Sequence, residues 1–292
     1  MKIVIFGGTG QLGSDFQRIA IASGLEVISC DLPEIDITAE AQVLDAVKHH
    51  SPDIVINAAA YTAVDKAEQE SEIAYTVNRD GAKNCAIACQ KVQIPLIHIS
   101  TDYVFNGENT SPYIEADEVF PIGVYGQSKW EGEQAVRKVL EPHLIIRISW
   151  VFGFYGQNFV KTMQRLARER EDLNVVSDQV GCPTATRALS HALIKISRAC
   201  IKNAGPWGTY HYSCAPPTNW YEFAQAIIEE TRQYESLKIN NVNPITTEKY
   251  PTPAKRPAYT AMDCTKIKRD YAIKQVSWKE ELKQVVQELC KQ

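Results

Sequence analysis

Along the first half of the chain, short unbroken apolar runs alternate with longer stretches of helical character. The runs cover 2–6, 26–30, 53–57, 95–100 and 143–150, are rich in Ile and Val, and show no alternation with polar residues. A strand with one wet face alternates with period two, so an unbroken run predicts a strand buried on both faces, as in a parallel sheet covered by helices. Helices are predicted between these strands over 11–23, 39–49, 72–92 and 128–140. Strand, helix, strand at this spacing builds right-handed βαβ units. The expected fold is α/β, a doubly wound parallel sheet.

After residue 150 the pattern changes. Strands are expected at 174–176 and 209–212, and helices over 159–170, 187–201, 220–234 and 278–290. The segment Tyr250-Pro251-Thr252-Pro253-Ala254-Lys255-Arg256-Pro257 carries prolines too closely spaced for either a ladder or a helix. Residues 1–150 are therefore expected to form the sheet domain. Residues 151–292 are expected to form a smaller mixed α/β lobe, with some segments returning to the sheet.

A chain of 292 residues with 45% hydrophobic content can bury a core large enough for this plan. The formal charge of -4, with no local basic run, argues against nucleic acid or an anionic membrane as a partner. No stretch approaches the roughly 20 apolar residues of a membrane helix. The first apolar run is too short, and too soon broken by glycine, for a signal peptide. The eight cysteines are scattered without a CxxC pair, and Cys85 and Cys89 sit one helical turn apart in an alanine-rich stretch, as buried thiols do. A cytoplasmic protein with reduced thiols is expected.

The first strand runs directly into Gly7-Gly8-Thr9-Gly10-Gln11-Leu12-Gly13 and then a helix. In this Rossmann-type arrangement the first glycine permits the tight turn. The second lets backbone approach a pyrophosphate, and the third lets helix pack on strand, with the anion at the helix N-terminus. Gly7, Thr9, Gly10, Gln11, Leu12 and Gly13 are thus candidate dinucleotide contacts. Asp31 ends the second strand, where a carboxylate accepts hydrogen bonds from the adenosine ribose. Asp36 and Ile37 fall in an expected loop near the adenine. Ala58, Ala59 and Ala60 follow the third strand and let a cofactor lie against backbone. Both NADPH and NADH remain open as the cofactor.

Tyr125-Gly126-Gln127-Ser128-Lys129 follows downstream of Ser100-Thr101-Asp102-Tyr103. Tyr and Lys at i,i+4 share one face of a helix. A phenol near pKa 10 is a poor proton partner at neutral pH until a cation lies beside it. At roughly 5–6 Å and an effective dielectric of about 20, an ammonium is worth on the order of 3 kcal/mol, about two pKa units. Lys129 is therefore expected to activate Tyr125. The acidic stretch from Asp65 to Glu70 reads as solvated helix surface, and the histidines have no partners at metal spacing.

Taken together, Phe6-Gly7…Gly10-Gln11-Leu12-Gly13, the run from Asn57 to Glu68, Ser100 to Phe105, Tyr125 to Lys129, Arg147-Ile148-Ser149-Trp150-Val151-Phe152 and Pro251 to Pro257 resemble the dTDP-4-dehydrorhamnose reductases, a family of the extended short-chain dehydrogenase/reductase superfamily. The likeness extends over nearly the whole chain. It implies Thr101, Tyr125 and Lys129 as the catalytic trio, Thr101, Asp102 and Trp150 at the sugar, and Arg256 near the diphosphate of a dTDP-linked deoxyhexulose. A substrate-binding role for the second lobe follows. Some members of that family bridge subunits through Mg²⁺ held by acidic side chains, and the matching positions here are Asp15, Arg187 and Glu288. Arginine at one of them implies no metal, and either a monomer or a homodimer. Two other readings stay open: another nucleotide-sugar reductase or epimerase of the superfamily, and a non-catalytic regulatory subunit of similar fold.

Overall fold

In the first strand, β1 (Lys2–Phe6), successive side chains point to opposite faces of a sheet that is covered on both. Ile3 and Ile5 join one buried cluster, and Val4 and Phe6 the other. The strands β3 (Ile54–Asn57), β4 (Leu96–Thr101) and β5 (His143–Ile148) are buried throughout, whereas β2 (Glu26–Cys30), at the sheet edge, leaves Glu26 and Ser29 exposed. These features belong to a computed structural model that describes residues 1–202 and 205–291.

The five strands and an edge strand, Gly208–His211, form one sheet in the order edge strand, β5, β4, β3, β1, β2, with every pair parallel. From β1 the chain passes through α1 (Gln11–Ala22) outward to β2, then returns through α2 (Glu40–His50) to β3 on the opposite side of β1. That reversal leaves a crevice at the carboxyl ends of β1 and β3, where open α/β sheets take their ligands.

Between β3 and β4 lie α3 (Val64–Ala67), α4 (Ser71–Tyr75), one π turn (Thr76–Gly81) and α5 (Ala82–Val92), and α6 (Val124–Val139) leads into β5. Helices α2, α5 and α6 cover one face of the sheet. Helix α1 covers the other, together with two helices from the second half, α8 (Thr186–Ile201) and α10 (Thr265–Tyr271). A separate cluster joins α7 (Phe159–Glu169), α9 (Trp220–Thr231) and α11 (Trp278–Leu289) through Met163, Phe223, Ile227 and Leu282. All eight cysteines are free. Among the described residues no helix is long and apolar enough to cross a membrane.

Three differences from the sequence expectations have local causes. Helix α6 starts at Val124, four residues before the apolar pattern begins, because a carboxylate from elsewhere supports its first turn: Glu68 Oε1 accepts the Val124 N–H at 2.9 Å. The stretch 72–92 is interrupted by the π turn, where Asn78 turns inward and bonds the backbone of Tyr61 through both ends of its amide, at 2.9 and 3.1 Å. Strand β5 stops at Ile148, since Trp150 adopts a positive φ that no ladder accommodates. Helices α3 and α10 and the strand Asn241–Ile245 are too short or too polar for a period to register.

Candidate active site

The carboxyl ends of β1, β3, β4 and β5 border a cleft of about 820 Å³. Every candidate cofactor, sugar or catalytic residue named from the sequence lines it except Arg256. Trp150, predicted at the end of a strand, lines it from just beyond β5.

At the mouth of β1, Gly7 has a φ of +79°, and a Cβ there would lie 2.5 Å from the Ala59 nitrogen. Only glycine lets the two chain segments meet. The Thr9 N–H and hydroxyl both donate to Asp31 Oδ2, at 3.0 and 2.5 Å, and the Leu32 N–H donates to Oδ1 at 2.9 Å. Asp31 thereby ties the glycine loop to the end of β2. Helix α1 has Gly10 as its N-cap and no side chain bonded there, which leaves the N–H groups of its first turn for an anion. Asp36 folds back on itself instead of facing outward, its Oδ1 accepting both the Thr38 N–H (2.9 Å) and hydroxyl (2.8 Å). Ile37 is buried, packed against Gly81. These two shape the wall with their backbone and apolar bulk.

Helix α6 carries Tyr125 and Lys129 and is held against the sheet and the turn after β4 at four points. A Cβ on Gly126 would come within 2.1 Å of the Tyr103 carbonyl, so the absence of a side chain lets the helix rest on the turn after β4. Tyr103 and Tyr125 meet edge to face, ring centroids 5.5 Å apart. Four residues beyond Lys129, fully buried Glu133 accepts two bonds from Arg147 of β5 (2.9 and 2.8 Å), one from Ser100 of β4 (2.6 Å) and one from Arg137 (2.8 Å). Lys129 Nζ donates to the Ile99 carbonyl at 2.7 Å and is itself buried. Thr101 donates to Asp102 Oδ1 at 3.1 Å. Asp102 Oδ2 is buried without a protein partner.

Burial pushes the Tyr125 phenol up to about 12, helped by the charge of Asp102 and opposed by hydrogen bonding with Thr101. Burial draws Lys129 down to about 8, against the pull of Glu133. Burial raises Asp102 to about 6, although its hydrogen bond with Thr101 favours the ionised form. The expected depression of the phenol by Lys129 is thus corrected. The shared helix face sets the amine against β4, on the Ile99 carbonyl, and the groups that act on the phenol are Thr101 and Asp102.

Arg256 does not line the cleft in this structure. Its guanidinium forms a two-pronged pair with Asp65 (2.8 and 3.0 Å) and bonds Thr252 Oγ1 and the Ala254 carbonyl, so it fastens the proline-rich segment to α3 rather than facing the cleft. The acidic stretch is not simply solvated, because Asp65 holds Arg256 and Glu68 supports α6. At the positions implied for Mg²⁺, Arg18 lies between Asp15 (2.9 Å) and Glu288 (3.9 Å), and Arg187 turns to Glu281 (3.2 Å). The buried Asp15 carboxylate also takes the Thr186 hydroxyl. A dication needs several free oxygen ligands, and this set, already neutralised by a guanidinium, does not fit one.

Glu133, Arg147 and Trp220 escaped the sequence reading. The signal for the first two was present, since Arg147 interrupts an apolar strand and a buried charge requires an opposite one, which Glu133 supplies from the Lys129 face of α6. Trp150 has a φ of +45°, rare for a bulky residue and costing on the order of 1–3 kcal/mol.

The family model described as RmlD substrate binding domain matches residues 1–291. The dTDP-4-dehydrorhamnose reductase of Aggregatibacter actinomycetemcomitans is 41% identical over 97% of this chain and 98% of its own. A crystal structure of a dTDP-4-dehydrorhamnose reductase from Clostridium acetobutylicum superposes with a TM-score of 0.92 at 39% identity, covering 99% of each chain. Another from Bacillus anthracis, in complex with NADP, gives 0.92 at 38% identity, covering 98% of this chain and 99% of that one.

Two outcomes follow from the charges. A carboxyl whose folded pKa lies above its unfolded value opposes folding once ionised. The penalty is absent below about pH 3.8, grows as pH rises, and is nearly complete above about 6. Asp102→Asn is therefore expected to stabilise the protein at pH 7 by about 2–3 kcal/mol, with the gain shrinking toward pH 4; urea unfolding at both pH values reads this, and an unchanged midpoint at pH 7 contradicts it. EDTA is expected to leave the molecular mass and melting temperature unchanged. A drop in either shows a cation competing with Arg18.

Proposed function

We infer, from the premise that this chain belongs to the RmlD substrate binding domain family, that it reduces the 4-keto group of dTDP-4-dehydro-L-rhamnose to dTDP-L-rhamnose with NADPH or NADH. The observation that carries the reading is the meeting, at the switch point of the sheet, of an uncapped helix N-terminus with Thr101, Tyr125 and Lys129 in one cleft. Relatives matched along their whole length carry the reductase name, which favours this reading over an epimerase or an idle subunit.

The residues fit a dinucleotide. The loop from Gly7 to Gly13 and the bare start of α1 suit a pyrophosphate, Ala58 to Ala60 leave a flat backbone surface, Asp31 suits the adenosine ribose, and Asp36 and Ile37 border the adenine. When bound, the nicotinamide supplies the hydride.

Tyr125 gives its proton to the oxygen of the reduced carbonyl. A phenol raised to about 12 is fully protonated at neutral pH, and an alkoxide is a far stronger base, so the transfer runs downhill as charge develops. Thr101 donates a hydrogen bond to the same oxygen and stabilises that charge. Lys129, mostly protonated at pH 7 and seated on the Ile99 carbonyl, would offer its ammonium to the nicotinamide ribose. Asp102, whose second oxygen has no protein partner, accepts a sugar hydroxyl, and Trp150 supplies an apolar wall. The free cysteines suit a reducing cytoplasm, and monomer and homodimer both agree with the reading.

Incubating the protein with dTDP-4-keto-6-deoxyglucose, a 3,5-epimerase and NADPH or NADH is expected to consume the reduced cofactor, and no oxidation with either removes the proposal. In the same assay Tyr125→Phe is expected to lower kcat by about 10²–10⁴ with little change in KM, because the proton is needed only in the transition state. Turnover is expected to fall as pH rises through about 8, where Lys129 loses its charge. A flat profile from pH 7 to 9 assigns the cation no role.

A further inference from the structure

One wall of the cleft is an indole that its own backbone does not favour. Trp150 has a φ of +45°, and its ring lies flat on that of Trp220, with centroids 3.6 Å apart and planes within 9°. Against the ring's edge, Gly181 provides room that no other residue would, since a Cβ there would lie 2.5 Å from Trp150 Cε2. The strands Val180–Gly181 and Thr218–Asn219 pair antiparallel, and so deliver Gly181 and Trp220 to the same indole. Asn219 caps α9 by accepting the Glu222 N–H at 2.8 Å, and Phe159 lies beside Trp220, centroids 4.6 Å apart. Trp220 is itself anchored, yet it does not line the cleft.

We propose that Trp220 is a positioning residue for the sugar-nucleotide substrate: stacked on Trp150 from the second lobe, it fixes that indole as a rigid wall of the cleft. The proposal rests on the reductase reading above. A bulky side chain on a left-handed backbone persists only where its surroundings over-determine it. Here the stack and the glycine do so. A wall held in place before substrate arrives spares binding the entropy of ordering it. The glycine loop that suits the cofactor follows β1, whereas Trp150 follows β5, with β3 and β4 between them in the sheet. Loosening the indole therefore weakens the sugar nucleotide and leaves the cofactor alone.

The test compares wild type with Trp220→Ala, Trp220→Phe and Gly181→Ala. In Trp220→Ala the KM for the sugar nucleotide is expected to rise about 3–10-fold, the range of one aromatic pair, while NADPH affinity stays within about twofold. The far-ultraviolet circular dichroism couplet of two stacked indoles disappears. Trp220→Phe keeps a ring in place and restores most of the KM without restoring the couplet. Gly181→Ala leaves Trp220 untouched, presses on the indole from its other edge and raises KM in the same way, which covers the case of a poorly folded Trp220→Ala. An unchanged KM in Trp220→Ala, or a matching loss of NADPH affinity, overturns the proposal while the reductase reading stands. A wild-type protein inert toward the sugar nucleotide overturns both.

Discussion

One buried carboxylate holds the helix that carries Tyr125 and Lys129 in place. Glu133 gathers Arg147 and Ser100 from two neighbouring strands and Arg137 from its own helix, so a single side chain fixes both the rotation and the height of α6 on the sheet. Burial opposes its ionisation, yet the Arg147 guanidinium, with Arg137 and Ser100, keeps the carboxyl below the usual range. Such a pair is weak evidence for stability, because desolvation consumes most of the attraction, and losing one partner strands the other at about 3–5 kcal/mol. Its value here lies in direction. Lys129 sits one turn before Glu133 and Tyr125 one turn before that, so whatever orients the carboxylate orients the amine and the phenol.

Much of this was legible in the residues. Unbroken Ile and Val runs identified the strands because a doubly covered strand has no wet face to record, and the glycine loop was legible because backbone that must approach other backbone admits few alternatives. Local patterns failed where a distant group decided the matter. The first turn of α6 depends on Glu68, the π turn on an inward amide at Asn78, and the end of β5 on the packing around Trp150. The Asp65 partner of Arg256 was hidden for the same reason, as nothing near Arg256 in sequence announces it. The Tyr and Lys pair was found by spacing, but spacing carries no information on which carbonyl would receive the amine.

The cleft is costly to the fold that carries it. Asp102 is buried with one oxygen unpartnered, Lys129 is desolvated, and Trp150 is strained. Each is tolerable because the surroundings are rigid: close backbone contact at Gly126, the Glu133 cluster, the stacked indoles. Asp102 and Trp150 lie just past the ends of β4 and β5, and Lys129 lies on the face of α6 that rests on the sheet.

The edge strand Gly208–His211 completes the sheet beside β5, and α8 lies over α1, although both come from far along the chain. During synthesis β1 to β5 leave the ribosome first. The outer rim of β5 then waits with unpaired N–H and C=O groups for residues 208–211, a delay of several seconds at roughly 5–20 residues per second. For that interval the nascent chain presents an open parallel edge and an apolar flank on α1, to which a strand of another polypeptide could add. Pairing of residues 208–211 with β5 is the step that closes that edge to such addition.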